Sequence, residues 1–314
     1  MNANSDPVTD AVVIARLTQD GVVRVAGSDA RAFLHGQLTN DVEQLAPDHV
    51  RRAGWCTAKG RLLATMLVLR DGDDFLLLLP SDIVASVIKR LRMFVLRSKV
   101  TIDDESARWA HYGLIGRGAD QALAANAIAG PGEELHTVVR MDDCWVMRLE
   151  GGRLRVLLAE GSNALRADRL ALPVVDASRW TLEDIRAGVP QVVAATQDLF
   201  VPQMVNFDAI AGLDFKKGCY PGQEVVARAQ YRGQVKRHLC RARITGDAAP
   251  AAGQDLFCDD PHGEACGTVV ASAPADGGNE LLAVVPDAVR EMQATVRASP
   301  DGAPLEWLPL PHSA

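Results

Sequence analysis

Phe215-Lys216-Lys217-Gly218-Cys219-Tyr220-Pro221-Gly222-Gln223-Glu224-Val225-Val226-Ala227-Arg228 is the stretch from which the rest of the chain is best read. Gly218 lets the backbone come close to a ligand or take a positive φ. Pro221 suits the first turn of a helix, and residues 223–229 follow as a short helix with Glu224 in its first turn. Cys219 then sits just before a helix N-terminus, with Lys216 and Lys217 close in sequence. Both features favour a thiolate, so the spacing predicts a lowered thiol pKa. The amides of the same turn offer a place for an anion. The plainer reading is a tight turn that carries an ordinary cysteine.

Outward from this loop the charge is uneven. The 314 residues carry a net charge of −7, which does not mark a nucleic-acid-binding chain. Yet Lys216, Lys217, Arg228, Arg232, Lys236, Arg237, Arg241 and Arg243 follow one another with only Glu224 opposed. An acidic protein with such an island has somewhere to hold an anion. A second basic stretch, residues 83–102, holds Lys89, Arg90, Arg92, Arg97 and Lys99 without an acid. It reads as the solvated face of a helix.

Residues 11–17 and 21–26 read as two strands joined by a turn at Gln19-Asp20-Gly21. Ser28 is the expected cap of a helix that runs to Leu38. Strands are expected at 51–57, 62–69, 75–79 and 100–102. Ile83, Val84, Val87, Ile88, Leu91, Phe94 and Val95 recur at helical spacing after Ser81. The pattern then repeats, with strands at 109–115, 137–140, 145–149 and 154–159 and helices at 120–128 and 163–170. Gly113, Gly116 and Gly118 have the wrong spacing for a dinucleotide fingerprint. After Gly233 short β-rich runs dominate, so a domain boundary is expected near 230–235. The expected class is α+β with antiparallel sheets: residues 1–232 as two sheet-and-helix units, then 233–314 as a small β-barrel domain.

Hydrophobic residues make up 48% of the chain, enough for a real core. The longest apolar runs fall short of a membrane span, and the N-terminus has no secretory pattern, so a soluble cytoplasmic protein without membrane contact is expected. The six cysteines contain no C-x-x-C pair, which argues against a disulfide framework, a structural zinc site or a complete iron–sulfur cluster. No metal ligands are expected among the site residues.

Lys217-Gly218-Cys219-Tyr220-Pro221-Gly222-Gln223-Glu224 with Ala227-Arg228 resembles the K-G-C-[YF]-x-G-Q-E-x-x-[AS]-R signature of YgfZ-type proteins, relatives of the glycine-cleavage T-protein. Residues 33–41 resemble that family's F-L-x-G-Q-[LV]-[TS]-N-D segment, and Trp55 to Arg61 its K-G-R turn. Residues 185–190 and 201–206 match the approach to the signature. The likeness reaches about residue 245 and is weak beyond it. It implies T-protein-like units around a central folate cavity, followed by a β-barrel. It also implies a link to upkeep of iron–sulfur enzymes and, through them, to tRNA modification. The partners implied are a reduced folate, tetrahydrofolate or a derivative, and iron–sulfur client enzymes or assembly proteins. Direct nucleic-acid binding is the weakest reading.

On that resemblance Cys219 is the functional thiol. Lys217, Gly218, Tyr220, Gly222, Gln223, Glu224, Arg228, Arg186 and Asn206 are the candidate folate contacts. Gln223 or Glu224 would meet the pterin edge, and the basic island the glutamate tail. Two departures set the chain apart. T-proteins carry an acid for aminomethyl transfer where this sequence has Ala64 and Thr65, and a pterin-binding Glu where it has Arg186. A tetrahydrofolate-dependent aminomethyltransferase is therefore the alternative rather than the first reading.

Overall fold

The computed structural model describes residues 11–162, 172–231, 233, 235–246, 248–259 and 265–311. The helix expected at 163–170 lies outside them. The described chain forms three sheets with few helices, the α+β class expected.

The run 75–79 is apolar at every position because both of its faces are buried. It lies in β5 (Asp74–Pro80), inside the five-stranded sheet β3-β4-β5-β2-β6. The other strands are β2 (Asp20–Ala26), β3 (Val50–Cys56), β4 (Leu62–Asp71) and β6 (Thr101–Asp104). Successive side chains on a strand point to opposite faces. Phe75, Leu77 and Leu79 accordingly pack with Ile83, Val87 and Leu91 of helix α2 (Ser81–Val95). Leu76 and Leu78 pack the other way, against Trp145, Met147 and Leu157 of a second sheet.

That second sheet has the order β11-β1-β7-β10-β9-β8. It comprises β1 (Val13–Arg16), β7 (Trp109–Ile115), β8 (Val138–Met141), β9 (Cys144–Arg148), β10 (Leu154–Ala159) and β11 (Val174–Val175). Its outer face packs on Ala119 and Leu123 of α3 (Ala119–Ala124). The two units thus meet sheet to sheet, with helices outside. α1 (Ala30–Gln37) and α4 (Ala177–Arg186) complete them.

Several local expectations change. β1 and β2 do not pair: β1 joins β7 and β11, whereas β2 joins β5 and β6, so the turn at Gln19 passes the chain between sheets. Asp29, not Ser28, is the N-cap of α1, and no side chain caps it. The third helix stops at Ala124. Gly113 is needed for packing, since a Cβ there would lie 2.1 Å from the Trp180 ring.

The third sheet, order β16-β13-β14-β15-β12-β17, forms a half-barrel. It holds β12 (Arg237–Ile244), β13 (Asp255–Cys258), β14 (Ala265–Ala275), β15 (Gly278–Pro286), β16 (Val296–Arg297) and β17 (Glu306–Leu308). α6 (Asp287–Glu291) closes one end. Here the expectation of unbonded cysteines is corrected. Cys258 and Cys266 are joined by a disulfide with Cα atoms 5.8 Å apart. β13 and β14 are antiparallel neighbours, and pairing brings together thiols that sequence spacing alone did not connect.

Candidate functional site

The signature loop is held from below by its own lysine. The ammonium of Lys217 donates to the carbonyls of His35 and Leu38, the latter at 2.7 Å, at the C-terminal end of α1. A helix end leaves such carbonyls without intrahelical donors, and a cation there also suits the helix dipole. Lys217 is 8% exposed, and burial pushes its pKa down to about 8, against Asp41, Asp214 and Cys219, which raise it. The same ammonium lies 4.9 Å from the centre of the buried Tyr220 ring. Burial, with Cys56 nearby, raises the Tyr220 phenol above its usual value.

The F-L-x-G-Q-L-T-N-D segment explains itself here. The Thr39 hydroxyl donates to the Gly212 carbonyl at 2.7 Å and accepts from the Gly54 amide at 2.7 Å. The Asn40 amide donates to the Arg52 and Ala211 carbonyls. Together they tie the chain just before the signature to β3. On the other side Gly222 (φ +80°) stacks on the Thr57–Gly60 turn. A Cβ at Gly222 would lie 2.3 Å from the Thr57 carbonyl oxygen and 2.7 Å from Gly60 Cα. Two glycines in separate motifs are thus required by one contact. α5 (Gln223–Tyr231) follows, as expected, with Val226 buried beneath it.

Lys217, Gly218, Cys219, Tyr220 and Gly222 therefore share one loop, tied down at Lys217 and Gly222. Gly218 and Cys219 are exposed at its crest, with the His35 ring against Gly218. Gln223 is half-buried, while Glu224 and Arg228 pair with each other at 3.0 Å on the outer face of α5, their side chains 86% and 70% exposed. The other two candidates lie elsewhere. Arg186 donates to Glu280 of β15 at 3.0 Å. Glu280 is fully buried and also accepts from Arg241 at 2.7 Å. Burial raises its pKa, but Arg186 and Arg241 outweigh that and hold it below the usual range. Asn206 takes a left-handed conformation (φ +52°) and lines a separate pocket of about 490 Å³ beside His238 and Arg290.

Two further cavities bear on a ligand. The central one, enclosed by Thr65, Asp20, Arg155, Asp184, Trp180 and Pro190, measures about 30 Å³. That admits water, not a fused ring. Its carboxylates are committed, Asp20 to Arg155 at 2.7 Å and Asp184 to Arg153 at 2.9 Å. Thr65 Oγ1 accepts the Val192 amide at 3.0 Å, so it braces the neighbouring chain.

The outer one, about 680 Å³, is within the usual size of ligand pockets. It lies beside the signature and is lined by His49, Arg51, Arg52, His136, Asp214, Phe215, Lys216 and Tyr231. Phe215 and Tyr231 meet edge to face, ring centres 5.9 Å apart. His136 Nε2 is 2.8 Å from Glu150, which also receives Arg52 at 2.8 Å. Burial raises the Glu150 pKa, but Arg52 and His136 together hold it well below the usual carboxylate range. His136 has φ +64°, a strained conformation for histidine. Sequence reasoning missed this cluster because its histidines and arginines are far apart in the chain and share no motif spacing. Arg52 lines both cavities.

Over 294 residues, 92% of this chain, the sequence is 32% identical to the tRNA-modifying protein YgfZ of Escherichia coli O7:K1, of which 90% is covered. The chain belongs to the YgfZ family. The YgfZ protein of Shigella dysenteriae serotype 1 matches at the same identity and coverage. No family model matches the chain. Among solved structures, the glycine cleavage system aminomethyltransferase T from Bartonella henselae aligns with 98% of this YgfZ family member and 87% of its own chain. The TM-score is 0.77 at 16% identity, which establishes a shared fold. The T-protein-like architecture expected from the signature is thus present. No helix among the described residues is long and apolar enough to cross a membrane.

Proposed function

We propose that this protein is a folate-binding accessory factor that supports assembly or repair of iron–sulfur clusters in client enzymes, and thereby tRNA modification. In this reading residues 1–232 form the folate-binding region and 233–314 an appended domain, and the protein works in the cytoplasm. The observation that carries the proposal is the exposed Cys219 on a loop in which Lys217, Tyr220 and Gly222 are packed in place. A structural cysteine has no need of such a crest, whereas a thiol that meets another protein or a cluster does. The names of the relatives support the link to tRNA modification.

Folate is assigned to the outer pocket rather than the central cavity, which is too small for a pterin. Lys216, Arg51 and His49 would hold the glutamate carboxylates, and the Phe215 and Tyr231 rings would flank the aromatic part. A reduced folate would supply a one-carbon carrier there. The aminomethyltransferase alternative loses support, because Thr65 is bound to backbone and both central carboxylates are paired with arginines.

The test is complementation of cells that lack the protein. Cys219→Ala is expected to fold normally and to leave iron–sulfur-dependent tRNA modification at the level of the deletion. Full rescue by that variant would remove the thiol from the mechanism.

A further inference from the structure

Three large apolar side chains lie exposed together at the C-terminal end of α2. Ile83, Val84, Val87, Ile88 and Leu91 are buried, as the helical spacing predicts. Phe94 fits the same spacing, yet it is 45% exposed, next to Met93 at 63% and Leu96 at 87%. Lys89, Arg90, Arg92, Arg97 and Lys99 are exposed among them. Arg92 is shared with Asp103 at 3.0 Å. Among the described residues no carboxylate pairs with the other four. The stretch is therefore not merely a solvated helix face.

Leu96 sharpens the point. It follows the last residue of the helix with φ +48°, where glycine is usual and a branched side chain is strained. Its side chain is almost wholly in water, so the fold gains little from it. Phe94, by contrast, is anchored, its ring edge to face with Trp55 at 6.4 Å. The Trp55 indole in turn reaches Gln37 of α1 at 3.4 Å, and α1 is the helix whose carbonyls hold Lys217. The patch and the Cys219 loop thus rest on one support.

We infer that this tip is a docking surface for a protein partner that presents an apolar groove rimmed by carboxylates. Cations that no acid neutralises call for a negative partner, and aliphatic side chains at the centre call for one with an apolar floor. Self-association through the tip would set these cations against each other. RNA would use the cations and a stacked ring, but not Met93 and Leu96. A partner seated here would lie along the support shared with Cys219. This inference deepens the proposed function by describing the client, and it does not depend on folate.

The experiment titrates the full chain with a synthetic amphipathic helical peptide, leucines on one face and glutamates on the other. Saturable binding is expected, weakened about tenfold by Leu96→Ser with Phe94→Ser and again by reversal of Arg90 and Arg97 to glutamate. Neither change should alter tetrahydrofolate affinity, and the charge reversal should leave thermal unfolding unchanged, whereas the serine pair gives up the Phe94–Trp55 contact and lowers the unfolding temperature. Equal binding of a peptide with lysines for glutamates, or no loss in the variants, would overturn the inference. So would variant-sensitive binding of a tRNA transcript or of phosphatidylglycerol vesicles in place of the peptide, since the tip would then serve RNA or lipid. If wild-type protein binds the peptide but not tetrahydrofolate, the folate reading fails and this one stands.

Discussion

The central cavity and the outer pocket share Arg52 and differ in almost every other respect. The central one has its carboxylates paired with arginines and its threonine bound to backbone, and it retains only about 30 Å³. The outer one keeps about 680 Å³, an exposed lysine and two aromatic rings beside the signature loop. In this chain the central carboxylates are paired with arginines, whereas the outer pocket keeps its basic and aromatic side chains beside the signature loop.

The largest effect is expected at Glu150, the partner of the arginine that the two share. Glu150→Gln would leave Arg52 buried without its counter-charge and cost about 3–5 kcal/mol in urea unfolding. Glu150 is held low by Arg52 and His136, so its stabilisation is present above its unfolded value of 4.5 and is lost as pH falls below it. Wild-type stability in mild acid should drop more steeply than that of Glu150→Gln.

Lys217→Met comes next. It leaves the His35 and Leu38 carbonyls without their donor and should cost about 2–3 kcal/mol. Lys217 titrates near 8 when folded and at 10.5 when unfolded, so the unfolded chain holds the extra proton between those values. The stability of the wild type relative to the variant should therefore rise with pH across that window, since the raised thiols and the Tyr220 phenol titrate alike in both. Thr65→Val, which removes one hydroxyl from the central wall, should cost only about 1 kcal/mol.

Much of this was legible in the sequence, for local reasons. The helix after Gly222 and the strand at 75–79 follow from glycine, proline and apolar spacing over a few residues. The partner of Lys217 was not legible, because an ammonium that reaches carbonyls 179 positions away leaves no local pattern. The protein partner of Arg186 was equally out of reach, since the charge cluster around Glu280 is assembled only by the third sheet. The His136–Glu150–Arg52 group is equally non-local. Side chains that act through tertiary contacts are the ones whose partners sequence spacing does not reveal.

The most direct test of the account is a calorimetric titration with tetrahydrofolate of three proteins: wild type, Lys216→Glu and Thr65→Val. Saturable binding is expected in the wild type, about tenfold weaker in Lys216→Glu, a loss of about 1.4 kcal/mol, and unchanged in Thr65→Val. Binding lost in Thr65→Val and kept in Lys216→Glu would return the ligand to the central cavity and contradict the assignment.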